Sequence, residues 1–298
     1  VNALHEFTGD DIKAATGGTG KKITMLCEPG TGQTIYVVAN AASKLFAGVT
    51  NLAGFQAKLA LLSETTKSAG TGDVTDAQKA NNLPMLGIST GKDFTAGTET
   101  EAEIALSRLV ARVSISSIKT AFDAAGQFKD ATFKVDAVYL KNANSSVNMK
   151  KEGSVPINGG HEGAVVTKYL YEAVTGHTAN TELKTPYYFY TFPNVSEDNP
   201  TRLIIKGTFD ADGAGSASTA VTRYYPIVIN KKQANTTISG GSGTDKGSIA
   251  ANTRYVLTAV IKGEGAADDK TDIDPATLQL TVTVADWELT IRQDVTFE

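Results

Sequence analysis

The chain has 298 residues, 41% of them hydrophobic, and a formal net charge of −4, with 28 Lys and Arg against 32 Asp and Glu. There is no basic excess to neutralise phosphates, so we expect no nucleic-acid partner. The length predicts two domains with stable cores, and the single cysteine, Cys27, excludes an intrachain disulfide. No apolar run approaches the length of a membrane span, and residues 1–6 lack the basic and apolar regions of a signal peptide.

Short apolar stretches rich in aliphatic residues and Thr, separated by Gly, are typical of a mainly-β fold with a few helices. Residues 33–40 (QTIYVVAN) are rich in β-branched and aromatic side chains and predict the first strand.

A helical spacing of apolar residues follows this strand. At intervals of three or four residues stand Leu52, Phe55, Leu59 and Leu62. This spacing predicts one apolar face of a helix, with Thr50 or Asn51 as the residue that caps its start. Residues 67–78 are polar and rich in Gly and Thr, which predicts a loop.

A second β region covers residues 104–115 (IALSRLVARVSI), an apolar alternation that includes two arginines. We expect Arg108 and Arg112 to reach solvent or to pair with carboxylates at a sheet edge. Residues 121–126 (AFDAAG) interrupt the alternation and indicate a domain boundary nearby.

This boundary divides the chain into an N-terminal domain over residues 1–123 and a C-terminal domain over residues 124–298. The C-terminal half is denser in predicted strands. These strands cover residues 132–141, 187–192, 203–209, 223–230 and 254–262. Short strands joined by turns and loops predict a β-sandwich.

The end of the chain has the strongest strand pattern. Residues 278–284 alternate strictly between apolar and polar, and the phase slips by one residue at positions 285–286. A phase slip is typical of a bulge or of a corner between strands. Gln293 is the one polar position on the apolar face of the second alternation. The large residues of that face are Trp287, Leu289, Ile291, Val295 and Phe297.

A strand that is apolar on one side must bury that side. If the five large side chains are fully buried, they contribute on the order of 8–15 kcal/mol. The strand either completes its own sandwich or adds to an incomplete sheet in another chain. The pattern alone favours the first interpretation, because terminal strands usually close their own fold.

Five short segments occur along the chain in an order that one protein family shares. They are residues 34–40 (TIYVVAN), 83–87 (LPMLG), 106–115 (LSRLVARVSI), 224–230 (YYPIVIN), and the ending formed by 251–265 and 278–297, with VADW at 284–287. In these segments the chain resembles the FimA-type fimbrillins, the type V (Bacteroidetes-type) fimbrial shaft subunits. Each segment is an ordinary apolar strand, so the resemblance rests on their order and on their spread over nearly the whole chain.

The resemblance implies two transthyretin-like β-sandwich domains, with short helices in the N-terminal one. It implies a lipoprotein precursor that is exported through the outer membrane to the cell-surface fimbrium. An arginine-specific protease is then expected to remove an N-terminal strand and to open a groove. The C-terminal strand of another subunit fills this groove, which gives a homopolymer by donor-strand exchange.

Carried onto this sequence, the donor strand is residues 286–298. Its expected pocket-filling residues are Trp287, Leu289, Ile291, Val295 and Phe297. The acceptor groove is expected in the N-terminal domain, beside Ile35, Val37, Val110, Val113 and Ile115. The implied partners are identical subunits, accessory and anchor fimbrial proteins, the maturation protease, and surface ligands of host or bacterial cells.

Catalysis has little support in the sequence. The histidines, His5, His161 and His177, lie in polar, Gly-rich or terminal surroundings and outside the known catalytic motifs. Residues 17–22 (GGTGKK) lack the spacing and the Lys-Ser/Thr pair of a phosphate-binding loop. We therefore expect a non-enzymatic protein with no catalytic residues and no cofactor.

Two acidic stretches raise the question of a calcium site. One is residues 210–213 (DADG). The other contains Asp268, Asp269, Asp272 and Asp274. Neither continues into an EF-hand spacing, and charged loops are usually only solvated, so we predict no metal site.

A tyrosine cluster raises the question of a carbohydrate site. In a strand, Tyr188 and Tyr190 share one face and Tyr187 lies on the other, as ordinary core and surface positions would.

Three functions stay open, and a fimbrial shaft subunit is the leading one. The alternatives are an accessory, anchor or tip component of the same fimbria, and a monomeric glycan-binding surface lipoprotein. Long ladders of identical subunits would distinguish the first, and saturable sugar binding without oligomers the last.

Overall fold

A computed structural model describes residues 23–65, 83–157, 168–184, 186–215, 219–241, 243–286 and 291–297, the last of these by its backbone. The strands, in chain order, are β1 (Ile23–Met25), β2 (Gly30–Ala39), β3 (Leu59–Leu61), β4 (Met85–Phe94), β5 (Thr100–Arg108), β6 (Ala111–Thr120), β7 (Thr132–Lys141), β8 (Ala143–Asn148), β9 (Gly153–Ile157), β10 (Tyr171–Ala173), β11 (Tyr187–Thr191), β12 (Arg202–Asp210), β13 (Ala220–Val228), β14 (Thr236–Ser239), β15 (Thr253–Ile261), β16 (Leu278–Asp286) and β17 (Ile291–Phe297). The described helices are α1 (Leu52–Gln56) and 3₁₀ turns at Leu62–Thr65, Lys168–Leu170 and Pro275–Thr277. The predicted mainly-β fold is confirmed. None of the described helices is long and apolar enough to cross a membrane.

The N-terminal part of the chain builds a sheet with the strand order β1-β17-β5-β4-β2. The strand predicted over residues 33–40 is part of β2, which pairs antiparallel with β4. One face of this pair is covered by α1, where the rings of Tyr36 and Phe55 lie 4.8 Å apart. The loop predicted at residues 67–78 lies outside the described residues.

The predicted helix is much shorter than its leucine spacing indicates. α1 ends at Gln56, and Leu59 already lies in β3, opposite Asn148 of β8. The predicted cap is confirmed, because the Asn51 side chain accepts a hydrogen bond from the Gly54 N–H at 2.8 Å. A glycine inside so short a helix weakens it, and the pairing of β3 with β8 gives the following residues other backbone partners.

The apolar run at residues 104–115 consists of two strands in different sheets. β5 ends at Arg108 in the N-terminal sheet, and β6 begins at Ala111 and pairs with β11 on one edge and β15 on the other. β6 therefore belongs with the strands of the C-terminal half. The division at residue 123 stays a prediction, and the strand pairing places β6 on the other side of it.

Two sheets of the C-terminal half supply the largest core. Their strand orders are β10-β7-β12-β13 and β11-β6-β15-β16-β14. Fully buried side chains from both sheets join one cluster, among them Phe133, Tyr225, Val113, Leu257 and Val282. The rings of Phe133 and Tyr225 meet edge to face at 5.2 Å, a favoured aromatic geometry. This arrangement agrees with the predicted β-sandwich.

β16 contains the alternation that precedes the phase slip. Leu278, Leu280 and Val282 are each at most 1% exposed, and the strand is paired by β15 and β14. β16 ends at Asp286, and β17 lies in the N-terminal sheet. The phase slip therefore coincides with the point at which the chain leaves one sheet for another.

Candidate functional site

The final strand of the chain lies between two other strands of the N-terminal sheet. β17 pairs antiparallel with β5, with Ile291 opposite Leu106 and Phe297 opposite Thr100. On its other edge it pairs parallel with β1, Ile23–Met25. The C-terminus of the chain thus completes a sheet built from its N-terminal part.

β5 obtains most of its described backbone pairing from β17. Its register with β4 consists of Met85 opposite Arg108 and Leu86 opposite Ser107, at the C-terminal end of β5. Residues 100–106 pair with β17. An unpaired strand edge exposes N–H and C=O groups that attract another strand. We call the space between β1 and residues 100–106 of β5 the strand slot.

A glycine permits the close approach of β4 and β5 beside the strand slot. A Cβ atom at Gly87 would lie 2.6 Å from Ile104 Cγ2 and 2.8 Å from the carbonyl oxygen of Ala105. A larger residue would force the two strands apart, which is a common reason for glycine within a strand.

The slot is apolar on one face and polar on the other. Ala102, Ile104 and Leu106 of β5 are at most 2% exposed, whereas Glu101 and Glu103 are exposed. This alternation means that a strand entering the slot meets a buried face and a solvated face.

The register places the apolar positions of β17 opposite the buried positions of β5. Ile291 is opposite Leu106, and Val295 is opposite Ala102. Directly paired residues lie on the same face of a sheet. The positions of β17 that the sequence predicts to be apolar therefore lie on the same sheet face as the buried residues of β5.

The buried face of the slot has a small apolar cluster separate from the main core. Ala102 and Ile104 form this cluster, and Met25, Cys27, Ile35, Val37 and Phe94 pack against it. Two predicted groove residues, Ile35 and Val37, therefore lie beside the slot. Burial raises the pKa of the Cys27 thiol, which favours its neutral, unreactive form.

The structure places the other three predicted groove residues away from the slot. Val110, Val113 and Ile115 are at most 1% exposed in the main core. From Arg112 to Ile115 β6 has a partner on each edge, β11 and β15, so these described residues leave no open edge for an added strand. Of the predicted donor residues, Trp287 and Leu289 lie outside the described residues, and Ile291, Val295 and Phe297 are described by their backbone.

Ala102, Ile104 and Leu106 were not predicted as groove residues. Their signal is present in the sequence, because residues 101–106 (EAEIAL) alternate between charged and apolar up to Ile104 and continue with Leu106. Because the apolar run continues through Leu109 and Val110 into β6, residues 104–115 resemble one strand, and the expected groove shifts toward β6.

Of the two arginines near the junction of β5 and β6, Arg108 is buried and Arg112 is half-buried. Arg108 is 7% exposed, and its burial lowers the pKa of the guanidinium while nearby Tyr190 opposes that shift. The guanidinium of Arg112 lies 4.4 Å from the ring centroid of Tyr188, a cation–π distance. Since Tyr187 and Tyr190 are buried and Tyr188 stacks with Arg112, these tyrosines do not form an exposed platform for a sugar.

The described histidine has a structural role. His177 Nδ1 accepts a hydrogen bond from the Val135 N–H at 3.0 Å, so the ring ties its loop to β7. His5 and His161 lie outside the described residues. Within the part of the chain that the structure describes, no three His, Cys, Asp or Glu side chains converge in a way that could hold a metal ion.

Two family models match the sequence. The model of the major fimbrial subunit protein (FimA) matches residues 4–108, and that of the FimA4 pilin C-terminal domain matches residues 147–287. The first match ends with β5, and the second ends one residue after β16. β17 therefore follows both matched regions. No curated protein matches the sequence.

Several solved structures share the fold. A fimbrilin (FimA) from Porphyromonas gingivalis W83 superposes with a TM-score of 0.60 at 18% identity, over 89% of this chain and 82% of that one. A putative cell adhesion protein from Bacteroides eggerthii DSM 20697 gives a TM-score of 0.58 at 23% identity, over 89% and 79% of the chains. Another from Parabacteroides distasonis ATCC 8503 gives 0.58 at 18% identity, over 86% and 83%. At these identities the likeness is one of fold.

Proposed function

Because the chain belongs to the FimA-type fimbrillins, we propose that it is a non-enzymatic shaft subunit of cell-surface fimbriae that polymerises by donor-strand exchange. In this proposal the strand slot of one subunit receives residues 286–298 of another. A head-to-tail contact that does not close on itself produces a filament. The polymer is then a chain in which each C-terminus completes the N-terminal sheet of its neighbour.

One observation carries the proposal, namely that the last two strands belong to different sheets. β16 completes the C-terminal sandwich and ends at Asp286, whereas β17 pairs with β5 and β1. In the described register β17 makes no pair with a strand of the sandwich. It can therefore leave its place in the N-terminal sheet of its own subunit without opening the main core.

Exchange replaces the backbone pairing of β17 with β5 within one chain by the same pairing between two chains. Residues 100–106 of β5 gain the same partners whichever subunit supplies β17, so the contact energy changes little. The effective concentration of the strand then decides which slot it fills. Fully extended, the chain from Asp286 to Ile291 spans at most about 18 Å, which limits the slots within reach.

The donor side chains in this proposal remain those predicted from the sequence: Trp287, Leu289, Ile291, Val295 and Phe297. The acceptor set is revised, because the register of β5 supports Ala102, Ile104 and Leu106 together with Ile35 and Val37. Val110, Val113 and Ile115 leave the proposed set, since they are enclosed in the main core.

We also propose the maturation that the family implies, in which a lipoprotein precursor is cleaved by an arginine-specific protease to free the slot. The N-terminus of the intact precursor should differ from that of the surface-assembled protein. An arginine directly before the assembled N-terminus, with a strand-like segment upstream, is the expected result. Identical N-termini in both forms would exclude activation by cleavage.

Truncation tests the proposed exchange. Deleting residues 287–298 leaves β16 intact, so we expect a folded C-terminal sandwich, by near-ultraviolet circular dichroism, and no polymers. A synthetic peptide of residues 286–298 should bind the truncated protein and raise its Tm. A control peptide with Ile291→Asp and Val295→Asp should bind at least tenfold more weakly, because both positions are opposite buried residues of β5.

Two results would contradict exchange through the slot: polymers of the truncated protein, or equal binding of the two peptides.

The assembly of purified full-length protein distinguishes the shaft role from the accessory, anchor or tip role. Long ladders of identical subunits are expected of a shaft subunit. Protein that caps a different polymer without forming ladders would instead be an accessory, anchor or tip component.

A further inference from the structure

The hairpin between β12 and β13 carries a buried carboxylate. β12 ends at Asp210 and β13 begins at Ala220, and these two residues are register partners. Asp210 is 4% exposed, although a carboxylate is rarely buried unless it is paired. Asp212 follows in the loop, and Thr219 lies next to β13 at the other end of the loop.

One oxygen atom of Asp210 has a partner and the other has none. Oδ2 accepts a hydrogen bond from the Gly215 N–H at 2.8 Å. Oδ1 is buried and lacks a hydrogen-bond partner. Leaving such an atom unpaired is costly, so the atom requires a donor or a cation.

Asp212 and Thr219 bring further oxygen atoms to this position. Thr219 Oγ1 donates to Asp212 Oδ1 at 3.4 Å, and both residues lie close enough to Asp210 to influence its pKa. Burial acts to raise the pKa of Asp210, but the hydrogen bond from the Gly215 N–H and the neighbouring polar groups of Thr219 and Asp212 outweigh it, and the pKa is lowered overall. Two carboxylates this close repel each other unless a proton or a cation lies between them.

The loop that carries Asp212 packs closely on the chain before β7. Gly213 has a φ of +65°, and a Cβ atom there would lie 2.2 Å from the carbonyl oxygen of Asp130. Glycine is therefore required both by the backbone conformation and by the close approach. Among the ion pairs of the described residues, none joins a Lys or Arg to Asp210 or Asp212.

The second acidic stretch differs, because its carboxylates have protein partners. Asp269 accepts hydrogen bonds from Lys141 Nζ at 2.5 Å and from the Tyr139 hydroxyl at 3.0 Å. Asp272 pairs with Arg202. Asp268 and Asp274 accept from backbone N–H groups of their own turns. The unpaired oxygen of Asp210 is therefore not a general property of acidic loops in this protein.

We propose that Asp210 and Asp212, with the Thr219 hydroxyl, bind a calcium ion. Calcium takes oxygen ligands in flexible geometry, whereas magnesium is smaller and demands near-ideal octahedral geometry. Because the site has two carboxylates, its affinity falls in the range of extracellular modules, with a Kd of about 10⁻⁴–10⁻³ M. The ion neutralises the carboxylate pair and holds the end of the β12–β13 hairpin against Asp130, two residues before β7.

Calorimetry and thermal unfolding of the full chain test this site. The protein is stripped with a chelator and titrated with CaCl₂, and separately with MgCl₂. At 10 mM CaCl₂ the Tm should rise by about 3–6 °C, and magnesium should have a smaller effect. Asp212→Asn removes one charge while its side-chain oxygen can still accept from the Ala214 N–H, so the variant should fold and lose at least two thirds of the calcium-dependent shift.

Asp268→Asn is the matched control, because Asp268 accepts from two backbone N–H groups of its own turn in the same way. This control should keep the full calcium shift. Asp210→Asn should abolish the shift, and Asp212→Asn keeps the test decisive if that buried variant does not fold. A Tm that is independent of CaCl₂ up to 10 mM, or an unchanged shift in Asp212→Asn, would overturn the proposal.

Discussion

The two parts of the molecule enclose their strands in different ways. In the C-terminal sandwich, β15 is paired along both edges, by β6 and β16, and its side chains join a core with fully buried aromatic residues such as Phe133. In the N-terminal sheet, β5 forms two register pairs with β4 and seven with β17, the last strand of the chain. Its buried face belongs to a small cluster built on Ala102 and Ile104.

Under the proposed exchange, this difference would separate a permanent core from an exchangeable one. Elements that move in function are drawn from the less stable parts of a protein, where few apolar contacts hold the backbone. A terminal strand that completes a small cluster can be removed at a lower cost than one that closes a large core. In the proposed exchange, the sandwich would keep the subunit folded while the slot changes partners.

The largest effect is expected in the sandwich core. Phe133→Ala removes a fully buried ring that packs on Tyr225 and should lower the free energy of unfolding by about 3–5 kcal/mol. Urea unfolding followed by circular dichroism measures this loss. Phe133→Leu retains most of the volume and should cost clearly less. Equal losses in the two variants would argue against close packing at this position.

The buried ion pair should produce the next largest effect. Lys141 is paired with Asp269 at 2.5 Å, and both residues are buried. Lys141→Met leaves the carboxylate without its cation and should destabilise the sandwich by about 3–5 kcal/mol. The double variant Lys141→Met/Asp269→Leu should recover most of this loss. If the double variant is no more stable than the single one, the pair does not act as a coupled unit.

A smaller effect, confined to the N-terminal sheet, is expected at the close approach of β4 and β5. Gly87→Ala places a methyl group against Ile104 and the Ala105 carbonyl group and should cost about 1–3 kcal/mol. Hydrogen exchange should quicken in residues 100–106 and stay unchanged in β15. Gly54→Ala is the control, because its Cβ atom would make an ordinary contact at 3.4 Å.

The smallest effect concerns the cap of α1. Asn51→Ala removes the acceptor of the Gly54 N–H and should cost about 0.5–1 kcal/mol. Asn51→Asp keeps the acceptor and should be nearly neutral. Because α1 covers the β2–β4 pair and not the strand slot, neither variant should change peptide binding. A large change in binding would mean that the slot extends to this helix.

Much of the fold could be predicted from the sequence wherever the apolar period was clear. The alternation of residues 278–284 predicted β16, and the phase slip marked the place where the chain changes sheets. The strand at residues 33–40 and the Asn51 cap follow from local signals. These features depend on neighbouring residues, which is why a sequence pattern records them.

The features that were missed depend on contacts between distant residues. Leu109 and Val110 are both buried, so the apolar run continues through the point where β5 ends and β6 begins. The partner of β5 is the last strand of the chain, a pairing that no local period records. Gln293 is opposite Ile104, and this polar position on an apolar face still has no physical explanation. The unpaired oxygen of Asp210 likewise depends on how the loop folds.

The most direct test of the central claim is disulfide trapping between two subunits. In a Cys27→Ser background, Glu101→Cys and Thr296→Cys introduce cysteines at register partners, each in a separate chain. Under assembly conditions the mixture should form disulfide-linked dimers. A mixture of Glu101→Cys with Arg292→Cys, whose register partner is Ala105, should not. A single chain that carries both Glu101→Cys and Thr296→Cys provides the comparison. If the disulfide forms within that chain and never between the chains of the mixture, the terminal strand closes its own sheet and donor-strand exchange is contradicted.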